Sequence, residues 1–228
     1  ILLIVSRGKE SIIEYFAPNP ELENHLEALG KSSALEAVRQ VSSMARTEYA
    51  FQEKMLGLGD AVRIGREFVG NDPAFAVLLG DTVMQHSSPL GAMWAAWQTF
   101  HKPSVCLEPC AEERVSRYGV AGGREIVPGI FDLDKLVEKP APDLAPRLAS
   151  LDGSRLPYHA FAARYLFTPD IFACLEKTSA GLAGEIQLTD AMERLRRTTG
   201  MLGVTWPGKR LDIGSPAGLL ESALAMGC

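Results

Sequence analysis

From Phe75 to Leu79 the chain runs through five apolar residues, Phe-Ala-Val-Leu-Leu, before Gly80-Asp81-Thr82 ends the run. An unalternating stretch of this length predicts a short strand covered on both faces, as in a parallel sheet. Ligands of open α/β sheets sit just beyond the carboxyl ends of the strands. Asp81 is therefore a candidate ligand for a metal or a phosphate. The competing reading is an ordinary strand-ending turn, because Gly-Asp is common punctuation. Asp81 alone does not decide between the two.

The same pattern reading extends along the chain. Ile1–Val5 predicts a buried strand with a turn at Ser6–Gly8. Lys9–Phe16 predicts a helix with Ile12, Ile13 and Phe16 on one side, broken by Pro18 and Pro20. Glu21–Leu29 and Lys31–Met44 predict two more helices, separated by Gly30. A strand at Glu48–Gln52 leads into Leu56-Gly-Leu-Gly59, and Asp60 is placed to cap a helix running to Phe68. Beyond Asp81 come a helix at Pro89–Phe100, a strand at Ser104–Glu108 and an extended piece from Ser116 to Val120. One strand is expected within Ile126–Val137, then a surface connection from Pro140 to Pro157 and a strand at Ala160–Phe167. Helices at Asp170–Lys177 and Ile186–Arg197, a strand at Met201–Thr205 and a last helix at Pro216–Met226 complete the series. Strands alternating with helices predict an α/β fold with a doubly wound, mixed sheet. Residues 1–228 are expected to form a single domain.

Composition narrows the function without naming it. The 228 residues carry a formal net charge of −5, with 46% hydrophobic and 22% charged residues, ordinary values for a globular domain. A general nucleic-acid binder would show a basic face, so no nucleic-acid partner is expected. No run approaches membrane-span length and no signal-peptide core is present, so a cytoplasmic protein with no membrane partner is expected. Cys106, Cys110, Cys174 and Cys228 show no C-x-x-C pairing, and mostly buried, reduced thiols are the expectation. The four histidines stand in no ligand spacing and are read as non-catalytic.

Several polar groups fall at predicted element ends. Leu56-Gly-Leu-Gly59 lies between a strand and a helix, where exposed N–H groups can hold a phosphate or base, although a plain tight turn reads the same way. It lacks the third glycine of the dinucleotide fingerprint. Gln52 brings an amide that both donates and accepts. Glu138-Lys139-Pro140 sets a carboxylate beside an ammonium. In a strand the two would point to opposite faces, and a turn at Pro140 can re-aim them. A solvated charge pair is the plainer alternative. Glu185, in Gly184-Glu-Ile-Gln-Leu-Thr-Asp190, sits at a helix start, where it also suits the helix dipole. Asp212 precedes Ile213-Gly214 and, on a strand end neighbouring that of Asp81, would complete a hard oxygen site suited to Mg²⁺.

Taken in order, Gln52 with Leu56–Gly59, Leu79-Gly-Asp81, Tyr118-Gly-Val120, Val137-Glu-Lys-Pro140, Gly184–Asp190 and Asp212-Ile-Gly214 resemble the sugar-nucleotide pyrophosphorylases. More narrowly they resemble the bacterial UTP–glucose-1-phosphate uridylyltransferases, from Ile4 to the final helix. The resemblance implies a Rossmann-like, nucleotide-diphospho-sugar transferase fold. It implies a Mg²⁺-dependent reaction of UTP with glucose 1-phosphate that gives UDP-glucose and pyrophosphate, in a cytosolic homo-oligomer. It places Gln52 and Gly57 on uracil, and Gly119, Glu138 and Glu185 along the glucose hydroxyls. Lys139 would meet the sugar phosphate, and Asp81 and Asp212 would hold the metal; Asp81, Lys139 and Asp212 are the implied catalytic set. The chain departs from the family at Asp60, usually His, and at Thr82, where a second Asp is common. The family also opens with a strand and glycine-rich loop that do not appear here, and the natural protein is expected to carry them ahead of Ile1, leaving the chain as given N-terminally incomplete. Transfer of a thymidylyl or cytidylyl group, and a non-catalytic sugar-nucleotide-binding relative, are the alternative readings.

Overall fold

Where apolar residues fill every position of a strand, both its faces must be covered; where they fill every third or fourth, a helix lays one side on the sheet. In the computed structural model, which describes residues 1–181 and 184–227, the chain opens with β1 (Leu2–Ser6), α1 (Ser11–Phe16), α2 (Pro20–Ala28), α3 (Ser32–Ser43) and β2 (Glu48–Gln52). α2 restarts after the proline break because Asn19 Oδ1 accepts the Leu22 N–H and Pro20 supplies the first turn. Next come α4 (Leu58–Ile64), α5 (Arg66–Val69), β3 (Phe75–Leu78), β4 (Thr82–Gln85), α6 (Leu90–Phe100) and β5 (Ser104–Cys110). The hairpin β6 (Gly119–Val127) and β7 (Ile130–Glu138) precedes β8 (Leu148–Ala149) and β9 (Tyr158–Phe167). The chain then continues through α7 (Asp170–Glu176), α8 (Leu188–Thr199), β10 (Leu202–Thr205), β11 (Lys209–Asp212) and α9 (Pro216–Met226).

Among the described residues the main sheet has seven strands in the order β3-β9-β5-β10-β7-β6-β8. β10 runs parallel to β5 and antiparallel to β7, so the sheet is mixed, as the pattern predicts. β9 is its spine, buried at all ten positions. Phe167 and Tyr165 face one side, with Ile171, Leu175, Met192 and Leu195 of α7 and α8. Leu166 and Ala162 face the other, with Met93 and Ala96 of α6. The period-2 alternation of a strand thus splits one apolar run between two helical layers. β1 and β2 form a separate parallel pair, and β4 and β11 a separate antiparallel one.

Several expectations are corrected. β3 is not a doubly covered parallel strand: it lies at the sheet edge, pairs antiparallel with β9, and leaves Leu78 52% exposed. An apolar run cannot by itself tell an edge from a centre, because the covering comes from distant segments. β1 is only half-buried, with Val5 alone enclosed. The helix after Leu56–Gly59 breaks into α4 and α5 at Gly65. Asp60 does not cap it: Gly57 holds the cap position and Asp60 lies inside the first turn. Glu112–Arg117 is a 3₁₀ turn rather than the start of a strand. Ile126–Val137 contributes to two strands joined around Gly129, and the 140–157 connection contains β8.

Cys106 is buried, which pushes its thiol up to about 12, while Cys110 and Cys174 are half-buried; all three are free. Cys228, Leu182 and Ala183 lie outside the described residues. Among the described residues no helix is long and apolar enough to cross a membrane.

His159, at the start of β9, is 6% exposed and its Nδ1 donates to the Pro157 carbonyl at 2.9 Å. Burial pushes its pKa down from 6.5, against the opposing effect of that hydrogen bond. Between its folded and ordinary pKa the unfolded chain binds more protons, so this group's stabilisation is complete at neutral pH and is lost as pH falls through 6.5. The melting temperature should drop more between about pH 7.5 and about pH 5.5 in the native protein than in His159→Asn, which cannot take the extra proton. Equal drops would remove His159 from the account.

Candidate active site

The β4–β11 ladder sets Asp212 opposite Thr82, and the Ile213 N–H donates to the Asp81 carbonyl at 2.8 Å. Two carboxylates far apart in sequence thereby flank Gly214. A Cβ on Gly214 would stand 3.2 Å from Asp81 Oδ2 and 3.3 Å from Asp212 Oδ1, so glycine keeps the space between them clear. The Gly214 N–H donates to Asp212 Oδ1 at 3.0 Å, and the Thr82 hydroxyl to Asp81 Oδ1 at 3.2 Å.

Two arginines hold this pair in place. Arg164 of β9, 7% exposed, donates to the carbonyls of Leu79 (3.2 Å) and Thr82 (2.7 Å), one on each side of Gly80-Asp81. A third bond goes to its neighbour Ala163, whose φ of 57° puts a left-handed kink in the strand. Arg210 Nε donates to Glu108 Oε1 at 2.6 Å, its guanidinium lies 4.8 Å from the Tyr118 ring centroid, and Nη1 stands 3.7 Å from Asp212 Oδ2. Burial pushes the Glu108 carboxyl up, although Arg210 draws it back.

On the other wall, Gly119 opens β6. A Cβ there would lie 2.3 Å from the Phe161 ring and 3.0 Å from Glu138 Oε2, so only glycine lets the strand pass. Glu138 Oε2 accepts the Thr189 hydroxyl at 2.5 Å. Lys139 takes φ 45°, which breaks strand alternation and brings Nζ to 3.9 Å from Glu138 Oε1. The turn falls one residue before Pro140, and the two charges share a side. Lys139 itself is largely exposed.

The Leu56–Gly59 turn is less open than expected. The Gly59 N–H donates to Ile186 O at 2.9 Å, and the Ile186 N–H to Leu56 O at 2.7 Å. Gly57 has φ 89°, and a Cβ there would stand 2.9 Å from Glu185 Cβ. The turn therefore carries the 185–186 segment on its back. Gln52 Nε2 donates to the Gly57 carbonyl and to Asp60 Oδ2, each at 3.0 Å. Glu185 is exposed and accepts from Gln187 Nε2 at 3.1 Å.

A cavity of about 220 Å³ gathers these walls. Asp81, Asp212, Gly119 and Glu138 line it, whereas Gln52, Gly57, Lys139 and Glu185 stand outside its lining. Leu58 carries the lining toward the Gln52 turn. Pattern reading missed Thr189, Tyr118, Arg164 and Arg210. Thr189 and Tyr118 lay within strings already singled out, and Arg210 two residues before Asp212. Arg164 left no signal, since a lone arginine in an apolar strand does not announce its partners.

A mixed sheet with helices on both faces, paired carboxylates at two strand ends and a polar cavity beside a glycine turn suit a nucleotidyl transferase. The family model for nucleotidyl transferases matches residues 7–227. The chain is 34% identical over 225 residues to the UTP–glucose-1-phosphate uridylyltransferase of Bacillus subtilis (strain 168), covering 98% of this chain and 73% of that protein. It is 35% identical over 230 residues to UTP–glucose-1-phosphate uridylyltransferase 2 of Streptococcus pyogenes serotype M1, covering 98% and 73%. A crystal structure of an apo UDP-glucose pyrophosphorylase superposes with a TM-score of 0.87 at 32% identity, covering 99% of this chain and 80% of that one. The UTP-bound enzyme from Acinetobacter baumannii gives 0.86 at 29%, covering 100% and 76%. The chain belongs to the UTP–glucose-1-phosphate uridylyltransferase family.

Gly119→Ala should force the Phe161 ring aside, costing about 1–3 kcal/mol of stability, and pull Glu138 from Thr189. Denaturant unfolding measures the first effect; a native-like midpoint would mean that Phe161 yields freely.

Proposed function

We propose that this chain is one nucleotidyltransferase domain that transfers a uridylyl group from UTP to glucose 1-phosphate, forming UDP-glucose and pyrophosphate. The observation that carries this is the meeting of Asp81 and Asp212 across Gly214, in one cavity with the Glu138–Thr189 pair. A phosphate oxygen of glucose 1-phosphate attacks the α-phosphorus of UTP as the pyrophosphate oxygen leaves, so positioning and charge neutralisation carry the reaction and no side-chain nucleophile is required.

Gln52 and Gly57 hold the uracil ring. Glu138, fixed by the Thr189 hydroxyl, accepts from glucose hydroxyls; Gly119, packed against the Phe161 ring, lies along them beside Glu138, and Glu185 reaches them from the segment behind the glycine turn. Lys139, exposed and turned to the Glu138 side, meets the phosphate of glucose 1-phosphate. Asp81 and Asp212 fit a divalent cation, Mg²⁺: two hard oxygen donors with clear space between them are what this ion takes when substrate phosphates supply further ligands. Once bound, the cation neutralises phosphate charge. The protein on this reading is cytoplasmic and homo-oligomeric, an assembly that sedimentation would measure.

Pyrophosphate release from UTP and glucose 1-phosphate tests the reading. Asp81→Asn and Asp212→Asn should each lower kcat by about a hundredfold or more with the fold intact by circular dichroism. Normal turnover in both would sink the assignment. Lys139→Ala should raise KM for glucose 1-phosphate by about tenfold and leave that for UTP near its native value.

A further inference from the structure

Two hydrogen bonds decide which way the Gln52 amide faces. Its nitrogen donates to Asp60 Oδ2 and to the Gly57 carbonyl. A carboxylate and a carbonyl carry no proton to give, so only the NH₂ group can face them; turning the amide over would set its oxygen against two acceptors. Asp60 is itself rigidly held. It is 4% exposed and sits in the first turn of α4, and its other oxygen, Oδ1, takes both Nε (3.2 Å) and Nη2 (2.5 Å) of Arg63. Burial alone would raise its pKa, but the bonds from Arg63 and Gln52 hold the carboxyl below its ordinary value and keep it an acceptor. Among the described residues the Gln52 oxygen accepts no hydrogen bond, so it is the one part of the amide left for a ligand.

We propose that Asp60 is a positioning residue that sets base choice: by holding the Gln52 nitrogen inward it leaves Gln52 only an acceptor, so the site takes a pyrimidine bearing N3–H and rejects cytosine. This rests on the reading above that Gln52 meets the base. Uracil and thymine carry a proton on N3, whereas cytosine presents a bare lone pair there. The glycosidic bond fixes where N3 falls once ribose and phosphates are seated, so cytosine would bring acceptor against acceptor. A freely turning glutamine would serve both bases by flipping. Asp60 does not separate uracil from thymine, which share this edge.

The test is the ratio of kcat/KM for UTP to that for CTP, both measured with glucose 1-phosphate on one sample of purified protein, so that the folded fraction cancels. Asp60→Asn is nearly isosteric and its amide can donate to Gln52, which removes one of the two acceptors that oppose the flip and leaves only the Gly57 carbonyl. The UTP/CTP ratio should fall by about tenfold or more, while the UTP/dTTP ratio stays constant. Independently of any variant, the native protein should reject N3-methyl-UTP by about a hundredfold or more, since the methyl group removes the donor. UTP turnover with an unchanged UTP/CTP ratio in Asp60→Asn, or with N3-methyl-UTP used as readily as UTP, overturns this inference alone. Absence of UTP turnover in the native protein overturns the uridylyl reading and this inference with it.

Discussion

The guanidinium of Arg164 ties the buried spine of the sheet to the loop that carries Asp81, and the geometry of the site depends on that tie. A charged group removed from water is costly unless hydrogen bonds replace the lost solvent. Here the carbonyls of Leu79, Thr82 and Ala163 do so, while burial still pushes the arginine pKa down. The same stretch holds Ala163 in the left-handed region, a conformation that costs a residue with a Cβ about 1–2 kcal/mol. That cost persists because β9 is paired on both sides of the kink. Asp81 is therefore set by a strand buried at every position, although its own loop is exposed.

Around this anchor the site is assembled by close backbone approach. Gly119 lets β6 pass the Phe161 ring, Gly214 leaves the space between two carboxylates clear, and Gly59 admits the Ile186 carbonyl. At each place a side chain would occupy space that the chemistry or the packing needs. The polar groups come in short relays: Thr189 holds one oxygen of Glu138, and Arg63 holds one oxygen of Asp60, whose other oxygen holds the nitrogen of Gln52. A group whose orientation is settled before the ligand arrives loses less freedom on binding.

Much of this was legible in the residue pattern, and the exceptions are instructive. Strand and helix periods placed most elements within a few residues, because local side-chain spacing decides which face of an element can be buried. Asp81, Asp212 and Glu138 were recognisable as polar positions at element ends, Gly119 was singled out only by the family resemblance, and all four line one cavity. Phe75–Leu79 was read as a doubly covered strand and is an edge strand. Asp60 was read as a helix cap and is an acceptor for Gln52 and Arg63. In both cases the residue types were right for either role; pairing with the distant strand β9 settled the first, and the local turn that brings Gln52 and Arg63 onto Asp60 settled the second.

By itself the sequence determined the α/β class, the order of the elements and the residues able to carry charge at strand ends, since these follow from local periodicity and side-chain chemistry. Only the tertiary structure decided that Asp81 and Asp212 meet across Gly214, that Arg164 reaches both sides of the Asp81 turn, and that the Gln52 amide faces Asp60. Each of these depends on register between segments tens to more than a hundred residues apart, or on the direction of a side chain. The hydrogen bonds and burial that choose among registers and directions exist only once the segments have come together.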